Sequence, residues 1–492
     1  MLPLSLLIKG NQMSISRESI YSNGYTARSK IFRIVICFAI GIFVGLCILR
    51  LNYIFAIALV GGGIITLGSM FSLEFGLTSL LVLVILFPRE ELFSFSIPFF
   101  GGGLKATDIL LFAILSGWTI RVCFLKRNIS NLLQSFTVLI VAFVGWSIMS
   151  AVIGISNGVY YKYSLLELRP TLLYLIYLPI LSEFDFARVR RVIWVVLLAS
   201  TIVSIKGIIL YSFGIGEPAT YTGGDIRVMS IGFSYLLFCL LLTMSFYTEN
   251  VWKKIPLLLI MIISLSSLAI TFQRSAWLGL AISTVFICYA SGHQARKRLL
   301  KAFAYLTIFV LLVYTGTAMR SASSLSPVVA LERRLTSVLG YKEDVSAQHR
   351  LEEWTAAINR IQTHPIMGNG LGYQLKFYSP MYSEESKREG FASSDFYIHN
   401  SYVWIATKMG IIGLGLFTAI IFSILRTGIH QSLVLKGNEK AVMIGLTSCL
   451  VALFVVSFFG PMFNEDNLAP FVGFTFGAIQ VVRRSNHRET VA

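Results

Sequence analysis

Long apolar runs, separated by short clusters of polar and charged residues, recur along nearly the whole chain. Such runs can cross a hydrocarbon core of roughly 30 Å as helices. The pattern predicts fourteen spans: 31–49, 52–70, 73–88, 107–125, 132–154, 170–183, 192–213, 231–248, 255–272, 276–291, 300–317, 400–425, 441–459 and 468–482. The sixth is short and the first two form a tight pair, so the pattern admits 12–14 transmembrane helices. β-Barrel segments would be short, alternating and divided by polar turns. The predicted fold class is therefore an all-α integral membrane protein.

Charge orients the spans. Every second connection is basic: Arg121, Lys126 and Arg127; Arg188, Arg190 and Arg191; Lys253 and Lys254; then "HQARKRLLK" at 293–301. Arg28, Lys30 and Arg33 lie near one end, and "RRSNHRE" at 483–489 near the other. Basic loops stay in the cytoplasm. The predicted organisation is a cytoplasmic tail at 1–30, helices 1–11 within 31–317, a large extracytoplasmic loop at 318–398, helices 12–14 within 399–482, and a cytoplasmic tail at 483–492. The first apolar run is too far into the chain for a cleavable signal peptide and long enough to span.

Composition agrees. The chain is 55% hydrophobic and 13% charged, with a mean hydropathy of +0.74, where a soluble protein carries about 25% charged residues. A net charge of +17 would suggest nucleic acid in a soluble protein. Here cytoplasmic loops account for it, and no nucleic-acid partner is expected. Cys37, Cys47, Cys123, Cys239, Cys288 and Cys449 fall in or beside apolar runs without a C-x-x-C pair. They read as small core residues.

The loop is predicted to be partly helical. In "SAQHRLEEWTAAINRIQTHPIMGNGLG" at 346–372, Leu351, Trp354, Ile358 and Ile361 recur at helical spacing, and Pro365 with the glycines stops the helix. Neither an internal repeat nor a low-complexity tract is evident.

Three arginines stand on the predicted external face: Arg169 in "LELRPTLLYL", Arg227 in "GGDIRVMS" and Arg274 in "TFQRSAWLGL". Each alone is explained by snorkelling to the interface or by pairing with Glu167, Asp225 or Asp466. Grouped beside His399, they suit an anionic ligand such as a lipid-linked diphosphate, whose oxygens match the guanidinium fork. His399 and Asn400 open a span in "FYIHNSYVWIATKMGIIGLGLF" at 396–417, either as a helix cap or as part of a site at the membrane surface. There is no Walker-type loop, H-E-x-x-H or EF-hand loop. Glu183 and Asp185 have D-x-D spacing but fall on the predicted cytoplasmic side. His349 and His364 match no usual zinc spacing. Neither a metal nor a cofactor is expected.

Four stretches in order resemble the O-antigen ligase and O-antigen polymerase family: "QRSAWLGL" at 273–280, "RLEEW" at 350–354, "THPIMGNGLGY" at 363–373 and "HNSYVWIATKMGIIGLGLF" at 399–417. The resemblance covers about a third of the chain. It implies a GT-C-type glycosyltransferase that takes a glycan from an undecaprenyl-diphosphate donor and passes it to an acceptor sugar hydroxyl at the external face of a bacterial inner membrane. It carries catalytic roles to His399, Arg274 and Arg350, and donor contacts to Arg169. Arg227, Asn400 and Tyr402 are further substrate-binding candidates. The implied partners are the lipid-linked donor, a glycan or lipid A core acceptor, membrane lipid and a chain-length regulator. Fourteen spans depart from the family's more usual twelve. A flippase or exporter of lipid-linked saccharides is the alternative class. Ligase, polymerase and protein O-glycosyltransferase stay open.

Overall fold

The computed structural model describes residues 53–87, 94–95, 104–124, 134–218, 226–227, 234–248, 250–293, 296–297, 345–377, 392–393 and 397–489. The predicted spans 31–49 and 300–317 lie outside these residues. The chain forms two compact units, Met1–Ile65 and Thr66–Ala492. What is described of the first is helical.

The elements are α1 (Tyr53–Phe71), α2 (Leu73–Leu86), α3 (Ala106–Phe124), α4 (Ser135–Ser156), α5 (Tyr161–Leu173), α6 (Tyr177–Glu183), α7 (Phe186–Ser212), α8 (Ser234–Tyr247), α9 (Val251–Ala269) and α10 (Arg274–Ala290). Then follow α11 (Val345–Thr363), α12 (Ser401–Val434), α13 (Gly437–Val456) and α14 (Ala469–Glu489). Every predicted span within the described residues falls on a helix. Among the described residues, seven helices are long and apolar enough to cross a membrane, and shorter apolar helices accompany them. Large side chains such as Phe112, Val285 and Phe422 are more than two-thirds exposed. Apolar residues facing outward along helices of this kind are what a lipid solvent requires. The protein is a polytopic all-α membrane protein.

Helix α13 is the centre of its half of the bundle. Almost all its residues from Ala441 to Val456 are buried, and it packs on α8, α10 and α12. Small residues permit the close approach. An added Cβ on Gly279 of α10 would stand 2.7 Å from Val456 Cγ2 and 2.9 Å from the Ala452 carbonyl oxygen.

Two spans differ from their predicted form. The short sixth span is in fact continuous from Tyr161 to Glu183. It runs through Pro170 inside α5 and a 3-10 turn at Tyr174–Ile176 that leads into α6. Hydropathy missed its first half because Glu167 and Arg169 are charged. Both find charged partners inside the fold, which removes the cost that a bare charge would carry.

Helix α12 is broken at Gly410, whose φ of 66° and ψ of −169° are non-helical. The "PIMGNGLGY" stretch fills the break. Ile411 donates its N–H to the Pro365 carbonyl at 2.8 Å, and Gly370 donates to the Lys408 carbonyl at 2.9 Å. Asn369 donates both its backbone N–H and its side-chain amide to the Thr407 carbonyl, each at 2.9 Å. From the other side, Trp146 Nε1–H reaches the Met409 carbonyl at 2.9 Å and Ser150 Oγ the Lys408 carbonyl at 3.0 Å. Broken helical backbone survives among membrane spans only where protein satisfies it, and here two segments do. Glycine is required on both sides of this contact. A Cβ on Gly370 would sit 2.2 Å from the Gly154 nitrogen, and one on Gly410 2.1 Å from the Ile366 carbonyl oxygen. The predicted loop 318–398 thus includes a segment wedged between α4, α5 and α12.

Three two-residue antiparallel pairs complete the described structure: β1 (Ser94–Phe95) with β2 (Leu104–Lys105), β3 (Glu217–Pro218) with β4 (Ile226–Arg227), and β5 (Lys376–Phe377) with β6 (Ala392–Ser393). The last pair joins the chain leaving the wedge to the chain approaching His399.

Candidate functional site

Asn400 is the residue that caps α12. Its Oδ1 accepts from the amides of Tyr402 and Val403 at 3.0 and 3.1 Å, which satisfies two of the donors that every helix N-terminus leaves open. Ser401 fixes the same corner. Its amide donates to the Ser457 carbonyl at 2.9 Å and its hydroxyl to the Gly460 carbonyl at 3.0 Å. His399 stands just outside the cap and is not needed for it.

What holds His399 is Glu353. The His399 amide donates to Glu353 Oε2 at 2.8 Å, and His399 Nδ1 lies 3.1 Å from Oε2 and 3.3 Å from Oε1. The Glu353 side chain is 1% exposed, whereas that of His399 is 41% exposed. An ionised carboxylate can only accept, so Nδ1 carries the proton and Nε2 presents a lone pair. The arrangement fixes both ring orientation and tautomer, as the acid does in an acid–histidine pair.

Helix α11 delivers this group. His349 and Glu353 are one turn apart and share a face. The His349 ring lies edge-on to His399 with centroids 5.7 Å apart, and 5.2 Å from Phe377. Burial pushes the His349 imidazole below its usual value against the pull of Glu353, and the nearby charge of Arg350 pushes it the same way as burial. His349 is therefore neutral near pH 7. Arg350, half-buried on the same turn, belongs to this corner. His349, Glu353 and His399 each offer one ligand atom, all within 4.8 Å of one another, so this trio is the place among the described residues where a metal ion could be held.

Arg274 is the first residue of α10, and Phe272 before it has a left-handed φ of 52°. A non-glycine residue in that region turns the chain sharply at a cost. Gly279, just over one turn on, packs against the end of α13, and Ser457 follows that end and holds Ser401. Arg274 is thus on the His399 end of the bundle.

Arg169 is engaged in a different manner. Its Nε pairs with Asp108 Oδ1 at 2.9 Å, Asp466 lies 3.9 Å from Nη1, and Lys105 pairs with Asp466 in turn. Pairing with carboxylates, one of the two sequence-level explanations, describes its contacts. The Tyr402 hydroxyl donates to the Phe454 carbonyl at 2.9 Å and its ring packs on Phe458, so Tyr402 braces α12 against α13. Arg227 is described only as a residue of β4.

Sequence reasoning singled out neither Glu353 nor Lys408. Glu353 lies within the quoted "RLEEW", and only the approach of residue 399 distinguishes it from Glu352. Lys408 had a visible signal, a cation in the apolar run "WIATKMGIIG". It is fully buried, and its Nζ donates to Glu167 Oε1 at 2.8 Å and to the Tyr373 carbonyl. The Gly372 amide donates to the other Glu167 oxygen. This closed ion pair rivets the wedge between α5 and α12.

Residues 257–418 match the family model described as O-antigen ligase. A putative polysaccharide ligase of Rickettsia felis is 30% identical over 178 residues, covering 35% of this chain and 40% of that protein. A putative polysaccharide ligase of Rickettsia bellii is 27% identical over 177 residues, with the same coverage. The chain therefore spans less than half the length of these relatives. Arg274, Arg350, Glu353, His399 and Lys408 fall inside the family match, and Arg169 and Arg227 fall outside it.

Proposed function

We propose that the protein is a membrane glycosyltransferase that moves a glycan from an undecaprenyl-diphosphate donor to a sugar hydroxyl at the external face of a bacterial inner membrane. The observation that carries this reading is the His399–Glu353 pair: a half-exposed imidazole with a fixed tautomer, at the mouth of a span, inside a ligase-family segment.

The chemistry follows from the atoms. The acceptor oxygen attacks the anomeric carbon while its proton passes to His399 Nε2. The bond from that carbon to the phosphate oxygen breaks, and its electron pair leaves on undecaprenyl diphosphate. Arg274 and Arg350 meet the charge growing on that oxygen, the kind of fixed electrostatic stabilisation that contributes about 2.7–4 kcal/mol per donor in mutational cases. A well-placed general base adds about 10²–10⁴-fold. Glu353 stabilises the imidazolium that forms. The names of the matched proteins favour a ligase, with a glycan or lipid A core sugar as acceptor, over a polymerase.

The test is single-turnover transfer by purified protein with saturating lipid-linked donor. His399→Ala should lose at least about 10²-fold in rate while keeping its fold, because Asn400 caps the helix. Wild-type turnover by that variant would refute the base. The reading needs no metal, so transfer should persist in EDTA. Loss in EDTA with restoration by zinc would reassign His349, Glu353 and His399 as ligands. Movement of intact lipid-linked saccharide across a bilayer without transfer would favour the flippase.

A further inference from the structure

His349, Glu353 and His399 bring two imidazoles and a carboxylate to one point, with ligand atoms within 4.8 Å of one another. We infer that they form a zinc site whose occupation switches off the His399 base, a regulatory role that rests on the glycosyl-transfer reading and adds an inhibitor to it.

The donor set comes first. Two ring nitrogens and one carboxylate oxygen, with a fourth position left open to water, are a shell that zinc accepts. Magnesium and calcium prefer oxygen ligands and are poorly served by it. His349 and Glu353 stand one turn apart on α11, the spacing at which two side chains of a helix can grip one ion. Sequence spacing hid the set, because the second histidine is His399 and not His364.

The geometry is close to closed. Zinc–ligand bonds of about 2.0–2.1 Å at tetrahedral angles put ligand atoms about 3.3–3.4 Å apart. His399 Nδ1 and Glu353 Oε1 already stand 3.3 Å apart. The remaining movement belongs to His349, whose half-buried ring lies edge-on to His399 with centroids 5.7 Å apart. Glu353 needs no exposed surface of its own. Its Oε2 keeps the His399 amide at 2.8 Å, so the anchor of the corner survives while Oε1 turns from the ring proton to the ion. The ion arrives from the open side, where the His399 side chain is 41% exposed. The charge of Arg350, felt at His349, opposes a second cation and keeps the ion exchangeable. That suits an inhibitor better than a resident metal.

Inhibition follows from the tautomer. Zinc takes the Nδ1 lone pair, the Nδ1–H bond breaks, and its proton passes through water to Nε2. The imidazole is neutral before and after, so no proton is gained or lost. Nε2, which offered a lone pair to the acceptor hydroxyl, then carries N–H and cannot act as the base.

The experiment pairs spectroscopy with kinetics in nanodiscs, on wild type, His349→Phe and His349→Leu. Phenylalanine keeps a ring against Phe377 and His399, leucine removes it, and His349 has no part in the proposed transfer. Cobalt, as a coloured stand-in for zinc, should give wild type the intense visible bands of a tetrahedral ion. Zinc should remove those bands, and both variants should lack them. In single-turnover transfer, saturating zinc should slow wild type by at least about 10²-fold, with recovery in EDTA and no effect of magnesium or calcium. Both variants should transfer at the wild-type rate in EDTA, and their inhibition constant for zinc should rise at least about tenfold. Wild type unslowed by zinc, a wild type without cobalt bands, or variants inhibited as strongly as wild type would overturn the site. Transfer that requires zinc would overturn the switch and the His399 base together. Cobalt bands lost in the variants of a protein that transfers no glycan would keep the metal site and sink the enzymatic reading instead.

Discussion

Two polar clusters lie within the same segment of chain and behave in opposite ways. At Lys408–Glu167 every charged atom faces protein. The ammonium has a carboxylate and a carbonyl, the carboxylate has an amide as well, and both side chains are buried. At His399–Glu353 the carboxylate is equally buried but its partner is open, with one ring nitrogen held and the other free toward the surface. A buried ion pair with all its partners present fixes geometry and does no chemistry. A buried acid behind a half-exposed histidine holds a reactive atom in place. The difference is one of completion: the first cluster is closed by its own chain, and the second leaves its histidine half-exposed, where the proposed acceptor would meet it.

The largest expected effect tests the closed cluster. Lys408→Met strands the Glu167 carboxylate inside the bundle, at a cost of about 3–5 kcal/mol, and should lower the melting temperature in detergent sharply. Glu167→Gln with Lys408→Met should restore most of that loss, since neither charge then remains. A single variant melting with wild type would show that the wedge is held by its backbone hydrogen bonds alone.

Glu353→Gln tests the open cluster. The amide keeps the shape but can face Nδ1 with a donor, which favours the wrong tautomer. Single-turnover transfer should fall by at least about tenfold, with a shifted pH–rate profile and a melting temperature that moves far less than in Lys408→Met. Equal loss of stability in both would erase the contrast between the clusters.

Arg274→Lys and Arg350→Lys should each slow transfer by about an order of magnitude, because lysine keeps the charge and loses the planar fork. Wild-type rates in both would end the diphosphate clamp. A double variant far from additive would show that the two guanidiniums act together.

The smallest effect lies in the turn beneath His399. Burial, helped by the charge of Asp466, pushes the Glu465 carboxyl from 4.5 up to about 7. The folded protein then holds a proton that the unfolded chain releases, so stability falls as pH rises from about 4.5 to about 7 and is lowest above that window. Glu465→Gln should flatten the decline of melting temperature between pH 5 and 8. An unchanged slope would assign the decline to other groups.

With "PIMGNGLGY" bonded into the break of α12, the C-terminal end of α11 is anchored among the spans.

Apolar runs determined by themselves that the chain is a polytopic helical membrane protein, and placed each described span to within a few residues where no charge interrupted it. That signal is local and additive along the chain, which is why composition suffices to read it. Residue types at His399 and in the "RLEEW" stretch likewise marked the candidate corner. The partners were beyond reach of the sequence. Glu353 and His399 are 46 positions apart, Glu167 and Lys408 241, and nothing local distinguishes Glu353 from Glu352 or Asn400 the cap from a ligand contact. Which carboxylate meets which cation depends on how helices cross. The charged first half of the Tyr161–Glu183 span and the break at Gly410 were hidden for the same reason: each violates a local rule and is made good by a distant segment that only the folded bundle brings near.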